Sequence, residues 1–186
     1  MKRLIIKFFL FCRKVKYSFF SNNKNIKGTL TSYQPVVLRG EGAINFGDNV
    51  NVGVINSPLF YNSYAYIEAR TLNSKIFFGN NIHISNGFSM ISEKAITIKD
   101  NALIGFNCHI IDSAFHNLEI TKRKETDPNP REVIIEKNVF IGNNVTILKG
   151  VTIGENSVVA NGSMVIKSCP GNVVIAGSPA KIIKNL

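Results

Sequence analysis

Between Ile135 and Val165 an aliphatic side chain returns at every sixth residue: Ile135, Ile141, Ile147, Ile153, Val159 and Val165. An amphipathic helix repeats its apolar residues every three or four positions and a half-buried strand every two, so neither element explains this step. One flat side of a three-sided coil does. Aliphatic side chains from successive turns then stack inside a triangular prism, the sequence signature of a parallel β-helix. Gly142, Gly154 and Ala160 follow three of the aliphatics and suit a tight corner, while Val139, Val145, Val151, Ser157 and Ser163 are small enough to lie beside the large residue in a narrow interior. Each fully buried aliphatic is worth about 1.5–3 kcal/mol. A register slip would expose the whole column, so the repeat specifies one packing.

The same step is present, less regularly, upstream. Leu38 and Ile44 are followed by Phe46 and Val52, and Phe78, Ile84 and Met90 by Ile98, Ile104 and Ile110; the two-residue shifts after Ile44 and Met90 read as corner bulges. Residues 55–77, with Tyr61, Tyr64, Tyr66 and Phe77, show no period and are expected to form irregular or partly exposed strands. The period fails at His116. Residues 117–132 hold eight charges and two prolines and no repeat, which predicts an excursion from one corner of the prism.

A net charge of +10 would ordinarily point to a polyanion. Its distribution argues otherwise: Lys2, Arg3, Lys7, Arg13, Lys14, Lys16, Lys24 and Lys27 precede any acid, and the remainder has 14 bases against 12 acids. No nucleic-acid partner is expected for the body. Residues 1–20 read as a basic amphipathic helix with Leu4, Ile5, Phe8, Phe11, Cys12, Val15 and Phe19 on one face, although Ile6, Phe9, Leu10, Tyr17 and Phe20 lie among the bases. Its charges exclude a membrane span, and without a small-residue cleavage site no signal peptide is expected. Two roles stay open for it: a cap over the raw edge of the first coil, or a peripheral contact with an anionic inner leaflet. The chain accordingly divides into residues 1–30 and a β-helix over residues 31–186. Three cysteines, Cys12, Cys108 and Cys169, without C-x-x-C spacing, point to a reducing compartment and no structural metal.

As an ordered set, several features resemble the left-handed β-helix acyltransferases of the hexapeptide-repeat superfamily. They are the hexapeptides, Asp112-Ser113-Ala114-Phe115-His116 before the excursion, Val139-Phe140-Ile141-Gly142 after it, and the terminal Ala176-Gly177-Ser178-Pro179-Ala180-Lys181. The likeness is to the branch that O-acetylates sugars, including galactoside and maltose acetyltransferases and bacterial surface-polysaccharide O-acetyltransferases, and it covers roughly residues 38–186. It implies an all-β fold, a left-handed parallel β-helix; crossover rules alone would favour the other hand.

The resemblance also implies a site. Moving an acetyl group from a thioester to a hydroxyl needs a base for the hydroxyl proton, and imidazole titrates near neutrality. His116, where the chain leaves the prism, matches the family's catalytic histidine. Asp112, Glu119 or a backbone carbonyl could orient its ring, and N–H groups around Gly142 and Asn143 could receive the oxyanion. Acetyl-CoA is the implied donor, lying between two prisms of a homotrimer, with pantetheine at Asn143, Asn161, Gly162 and Ser163 and phosphates near Ile166, Lys167, Lys181 and Lys184. For the acceptor, Asn86 matches a sugar-contacting position and is equally a corner asparagine. Arg131 and Phe140, the latter where the family often has Trp, would line the same cleft.

No metal is expected, since a zinc site would need His83 and His109, both at outward repeat positions, to converge with His116. Together these features predict O-acetylation of a sugar in a bacterial surface glycan or its precursor, in the cytoplasm or at the inner face of the cell membrane. Transfer is expected to be direct, because the motif around His116 holds no cysteine to carry an acyl group. N-acetylation of a nucleotide-linked amino sugar, a xenobiotic acceptor and a non-catalytic β-helix scaffold are the alternatives.

Overall fold

A computed structural model describes residues 2–186. Its strands fall on three sheets, and successive strands visit them in rotation, so that six coils of chain build a three-sided prism. The first face carries Ile26–Lys27, Ala43–Phe46, Lys75–Phe78, Ala95–Ile98, Val133–Ile135 and Thr152–Ile153. On the second lie Leu30–Ser32, Val50–Val52, Ile82–Ile84, Leu103–Ile104, Phe140–Ile141 and Val158–Val159, closed by Val173–Gly177 and the antiparallel Ala180–Asn185. The third holds Val36–Gly40, Ala65–Ala69, Ser89–Ser92, His109–Ile111, Thr146–Ile147 and Met164–Val165.

The hexad residues are the core. Phe46, Phe78, Ile98, Ile135 and Ile153 stack behind the first face, Val52, Ile84, Ile104, Ile141, Val159 and Ile175 behind the second, and Ile67, Met90, Ile110, Ile147 and Val165 behind the third, all buried. The two-residue shifts are lengthened strands rather than bulges: Ala43–Phe46 turns both Ile44 and Phe46 inward, and Ala95–Ile98 both Ile96 and Ile98. Residues 55–77 are more regular than expected. Only residues 53–64 leave the coil, and Ala65–Ala69 alternates as a normal strand whose inward ends are alanines. At the corners the backbone turns left-handed, with φ of +55° to +63° at Asn81, Asn101, Asn138, Asn144, Asn156 and Asn172. Asparagine tolerates that region best among residues with a Cβ.

The helix α1 (Lys2–Ser18) lies beside Val36–Gly40 with the side that carries Leu10, Arg13, Lys14 and Tyr17 inward. Arg13 donates to the carbonyls of Phe60 (2.8 Å) and Ser63 (2.6 Å), Lys14 to that of Ser32, and Tyr17 stacks on Tyr64 at 4.6 Å. The free edge of Val36–Gly40 is closed by the segment after the helix: Leu38 N–H donates to Ser21 Oγ, and the N–H groups of Asn22 and Asn23 donate to Leu38 O. Strands begin at Ile26, inside the segment set apart as residues 1–30. Among the described residues no helix is long and apolar enough to cross a membrane.

Candidate active site

The chain leaves the prism after His109–Ile111, at the edge between the third and first faces, and rejoins it at Val133–Ile135. Two acids fasten the neck of this excursion. Glu93, one coil above, accepts from Ser113 Oγ on the outgoing limb and from Thr126 Oγ1 (2.8 Å) on the returning one. Asp127, almost fully buried, accepts from the N–H groups of Ala114 (2.8 Å) and Asn129 (3.0 Å) and from Lys149 Nζ. Burial pushes its carboxyl up, but the Ala114 N–H, the Lys149 ammonium and the Asn129 N–H outweigh it and hold the group at about 2.

Phe115 sits at φ +58°, a left-handed conformation costing a residue with a Cβ about 1–2 kcal/mol. Its ring is held under the Arg70 guanidinium, 4.5 Å from the ring centre. The next residue, His116, is exposed, and its Nδ1 lies 2.9 Å from the Arg123 carbonyl oxygen. A carbonyl only accepts, so Nδ1 carries a proton, and in the neutral ring the lone pair is then on Nε2. That is the tautomer a base acting through Nε2 requires.

Four of the expected roles are corrected. Asp112 is fully buried, and its carboxylate accepts from Ser92 Oγ (2.6 Å), Glu93 N–H (2.8 Å) and Lys94 N–H (2.9 Å), so it ties down the turn above and does not orient the imidazole. Glu119 pairs with Lys122 instead, at 2.9 Å. The N–H groups of Gly142 and Asn143 donate to Val159 O (2.8 Å) and Asn161 Oδ1 (2.7 Å), and are not free for an oxyanion. Asn86 is fully buried: its amide donates to Val54 O and Pro58 O, both at 2.9 Å, and accepts from Val54 N–H at 3.0 Å. It anchors residues 53–64 and is closed to a sugar.

Asn143 and Asn161 occupy the same corner column as Asn86, on the edge between the second and third faces; their amide oxygens accept from Phe106 N–H and Asn143 N–H. Gly162 follows, exposed at φ +69° with open space where a Cβ would lie. Ser163 is buried and donates to Ala160 O. Ile166 and Lys167 lie on the edge that carries His116, two coils further along, about 10 Å at the usual strand spacing. Lys167 and Lys181 line one hollow with Ser168 and Ile182, and Lys184 is on the same final strand as Lys181. Arg131 stands at the neck, its guanidinium over Gly150. Phe140, half-exposed, lines a groove on the second face with Tyr33, His83 and Leu103.

Cys108 is buried, its thiol donating to Gly142 O and pushed up to about 11 by burial. His83 is on the second face and His109 on the third, bonded to Ser89 Oγ. Among the described residues no three of His, Cys, Asp and Glu converge as a metal site.

The family description "Bacterial transferase hexapeptide (six repeats)" matches residues 132–167. An Escherichia coli K12 protein assigned by name to lipopolysaccharide biosynthesis as an O-acetyl transferase is 34% identical over 158 residues, 81% of this chain and 76% of its own length. The chain belongs to the bacterial hexapeptide-repeat transferases. The galactoside O-acetyltransferase of the same organism is 37% identical to this hexapeptide-repeat transferase over 115 residues, 59% of this chain and 56% of that one. A solved galactoside acetyltransferase in complex with coenzyme A superposes with a TM-score of 0.58 at 32% identity, over 75% of this chain and 64% of that chain. The prism is therefore the left-handed β-helix of that family, and the chain is an acyltransferase by class.

Within one chain of this hexapeptide-repeat transferase, His116, Arg131 and Lys167 lie along the edge between the third and first faces, and Lys181, on the last strand of the second sheet, shares a hollow with Lys167. Phe140 does not join them, because in a triangular section the second face lies opposite that edge. Glu93, Asp127 and Arg70 were not legible as site residues. Asp127 alone carried a signal, since Asp-Pro-Asn-Pro is a turn sequence whose Asp side chain bonds its own backbone two residues on.

Proposed function

We propose that this hexapeptide-repeat transferase moves an acetyl group from acetyl-CoA to a hydroxyl of a sugar in a bacterial surface glycan or its precursor, with His116 as general base. The bond from His116 Nδ1 to the Arg123 carbonyl carries the proposal, because it selects, for the neutral form of an exposed ring, the tautomer with its lone pair on Nε2. Nε2 takes the hydroxyl proton as the oxygen attacks the thioester carbonyl carbon. The tetrahedral intermediate then collapses with cleavage of the C–S bond, and the imidazolium returns its proton to the departing coenzyme A thiolate. Transfer is direct: the Cys108 thiol, buried and neutral, offers no acyl carrier. The names of the relatives, O-acetyl transferases of lipopolysaccharide and galactoside, support a sugar hydroxyl as acceptor.

The assembly is a homotrimer in which the His116 edge of one copy faces the second face of the next. That brings Arg131 and Phe140 to one cleft. The donor lies along it, its phosphates on Lys167, Lys181 and Lys184 beside Ile166, and its pantetheine on the neighbouring copy's edge of Asn143, Asn161 and Gly162, which Ser163 braces from inside. Use of acetyl-CoA sets the reaction in the cytoplasm.

Incubation with acetyl-CoA and a panel of sugars, amino sugars, nucleotide sugars and glycan oligomers tests this. Acceptor-dependent release of coenzyme A with a base-labile ester product supports it. A base-stable amide product would mean an N-acetyltransferase, and no release with any acceptor together with no coenzyme A binding would favour a scaffold.

A further inference from the structure

The helix α1 meets the prism with the wrong side for an ordinary amphipathic cap. Leu10, Arg13, Lys14 and Tyr17 face the body, while the apolar row is turned to solvent: Leu4 is 72% exposed, Phe8 68% and Phe19 82%, with Ile5 and Phe9 also exposed, and Phe11, at 63%, flanks a hollow shared with Tyr33, Ile55 and Phe60. A soluble surface rarely leaves so large a contiguous apolar patch uncovered. The bonds of Arg13 to residues 60 and 63, and of Lys14 to Ser32, fix the helix in this orientation before any partner arrives.

We propose that this outward face of α1 is a docking surface for an anionic lipid bilayer. Charge decides between a bilayer and a second copy of the chain. Residues 1–40 contain nine bases, and the first acid is Glu41. Lys7 and Lys16 are exposed on the helix itself, and Lys24 and Lys27 are exposed in the segment that follows it. A symmetric self-contact would set these bases against one another, whereas anionic headgroups complement them as the aromatic side chains enter the acyl boundary. The helix lies in the interface and does not cross it, in keeping with its charges.

Cys12 gives a direct probe, since it is exposed on the apolar side while Cys108 and Cys169 are buried. The full-length protein is labelled at Cys12 with an environment-sensitive fluorophore, and the unlabelled protein is sedimented with vesicles of phosphatidylcholine alone or with added phosphatidylglycerol. Binding is expected only to the anionic vesicles, weakened by added salt, with a blue shift of the label. Phe8→Gln with Phe11→Gln should weaken binding at least about tenfold. The pair is solvent-exposed, so circular dichroism and the elution volume should not change. Equal binding to both vesicle types, binding that survives the double substitution, or no binding at all would overturn the proposal. So would a parent oligomer that the double substitution splits, because the face would then belong to a second copy.

Discussion

The Nδ1 atom of His116 lies 2.9 Å from the carbonyl oxygen of Arg123, so both ends of the bond that sets the imidazole tautomer belong to the same excursion. No acidic side chain is needed for that purpose. Glu119→Gln is therefore expected to leave kcat within about twofold of the parent, since acid–base effects of catalytic size run to a hundredfold or more. A pH–rate profile of the two proteins should superpose; a large fall in kcat would restore a carboxylate to the role of orienter.

Asp127 ties the excursion down as an anion, and its carboxyl is held at about 2 against a usual 3.8. A depressed carboxyl contributes stability that is complete above the unfolded value and is lost as pH falls through the folded one. The parent should accordingly lose stability between about pH 4 and pH 2. Asp127→Asn should cost on the order of 2 kcal/mol at pH 7 and flatten that acid limb. Urea denaturation across this range distinguishes the two curves.

Asn86 and Asp112 are expected to act through stability. Asn86→Ala leaves the backbone groups of Val54 and Pro58 without partners and should cost about 1–3 kcal/mol. KM for the acceptor should not move. A raised KM with unchanged stability would show instead that the amide reaches the sugar.

The lower coils were readable in advance because each face there takes one large inward residue per turn, from Ile135 to Val165. The upper coils were harder. Their strands hold two inward residues, as at Ile96 and Ile98, or close on alanine, as at Ala65 and Ala69, and a search for large aliphatics at one step passes over both. The motif singles out His116 as a candidate in the sequence, but the carbonyl its Nδ1 meets could not be named there, since a main-chain carbonyl has no identity in a sequence. Asp112 and Asn86 have side chains chemically suited to the roles first given them. Contacts with Ser92, Glu93 and Lys94, and with Val54 and Pro58, engage them otherwise, and no local pattern announces those contacts. The orientation of α1 depended in the same way on the carbonyls of Phe60 and Ser63.

The separation of Phe140 from His116 within one prism gives a test of assembly. His116→Ala and Phe140→Ala chains should each be weak alone. Mixed under conditions that exchange subunits, they should regain a substantial share of activity, because some sites then combine an intact His116 with an intact Phe140. Failure to regain activity in a mixture shown to contain hetero-oligomers would place both residues in one chain's site.

The most direct measurement is the steady-state rate of acceptor-dependent coenzyme A release by the parent and by His116→Ala, with urea stability and coenzyme A affinity followed in parallel. General-base catalysis through Nε2 predicts a fall in kcat of about two to four orders of magnitude, with donor affinity and stability nearly unchanged. A variant that releases coenzyme A at the parental rate would contradict the assignment of His116 as the base.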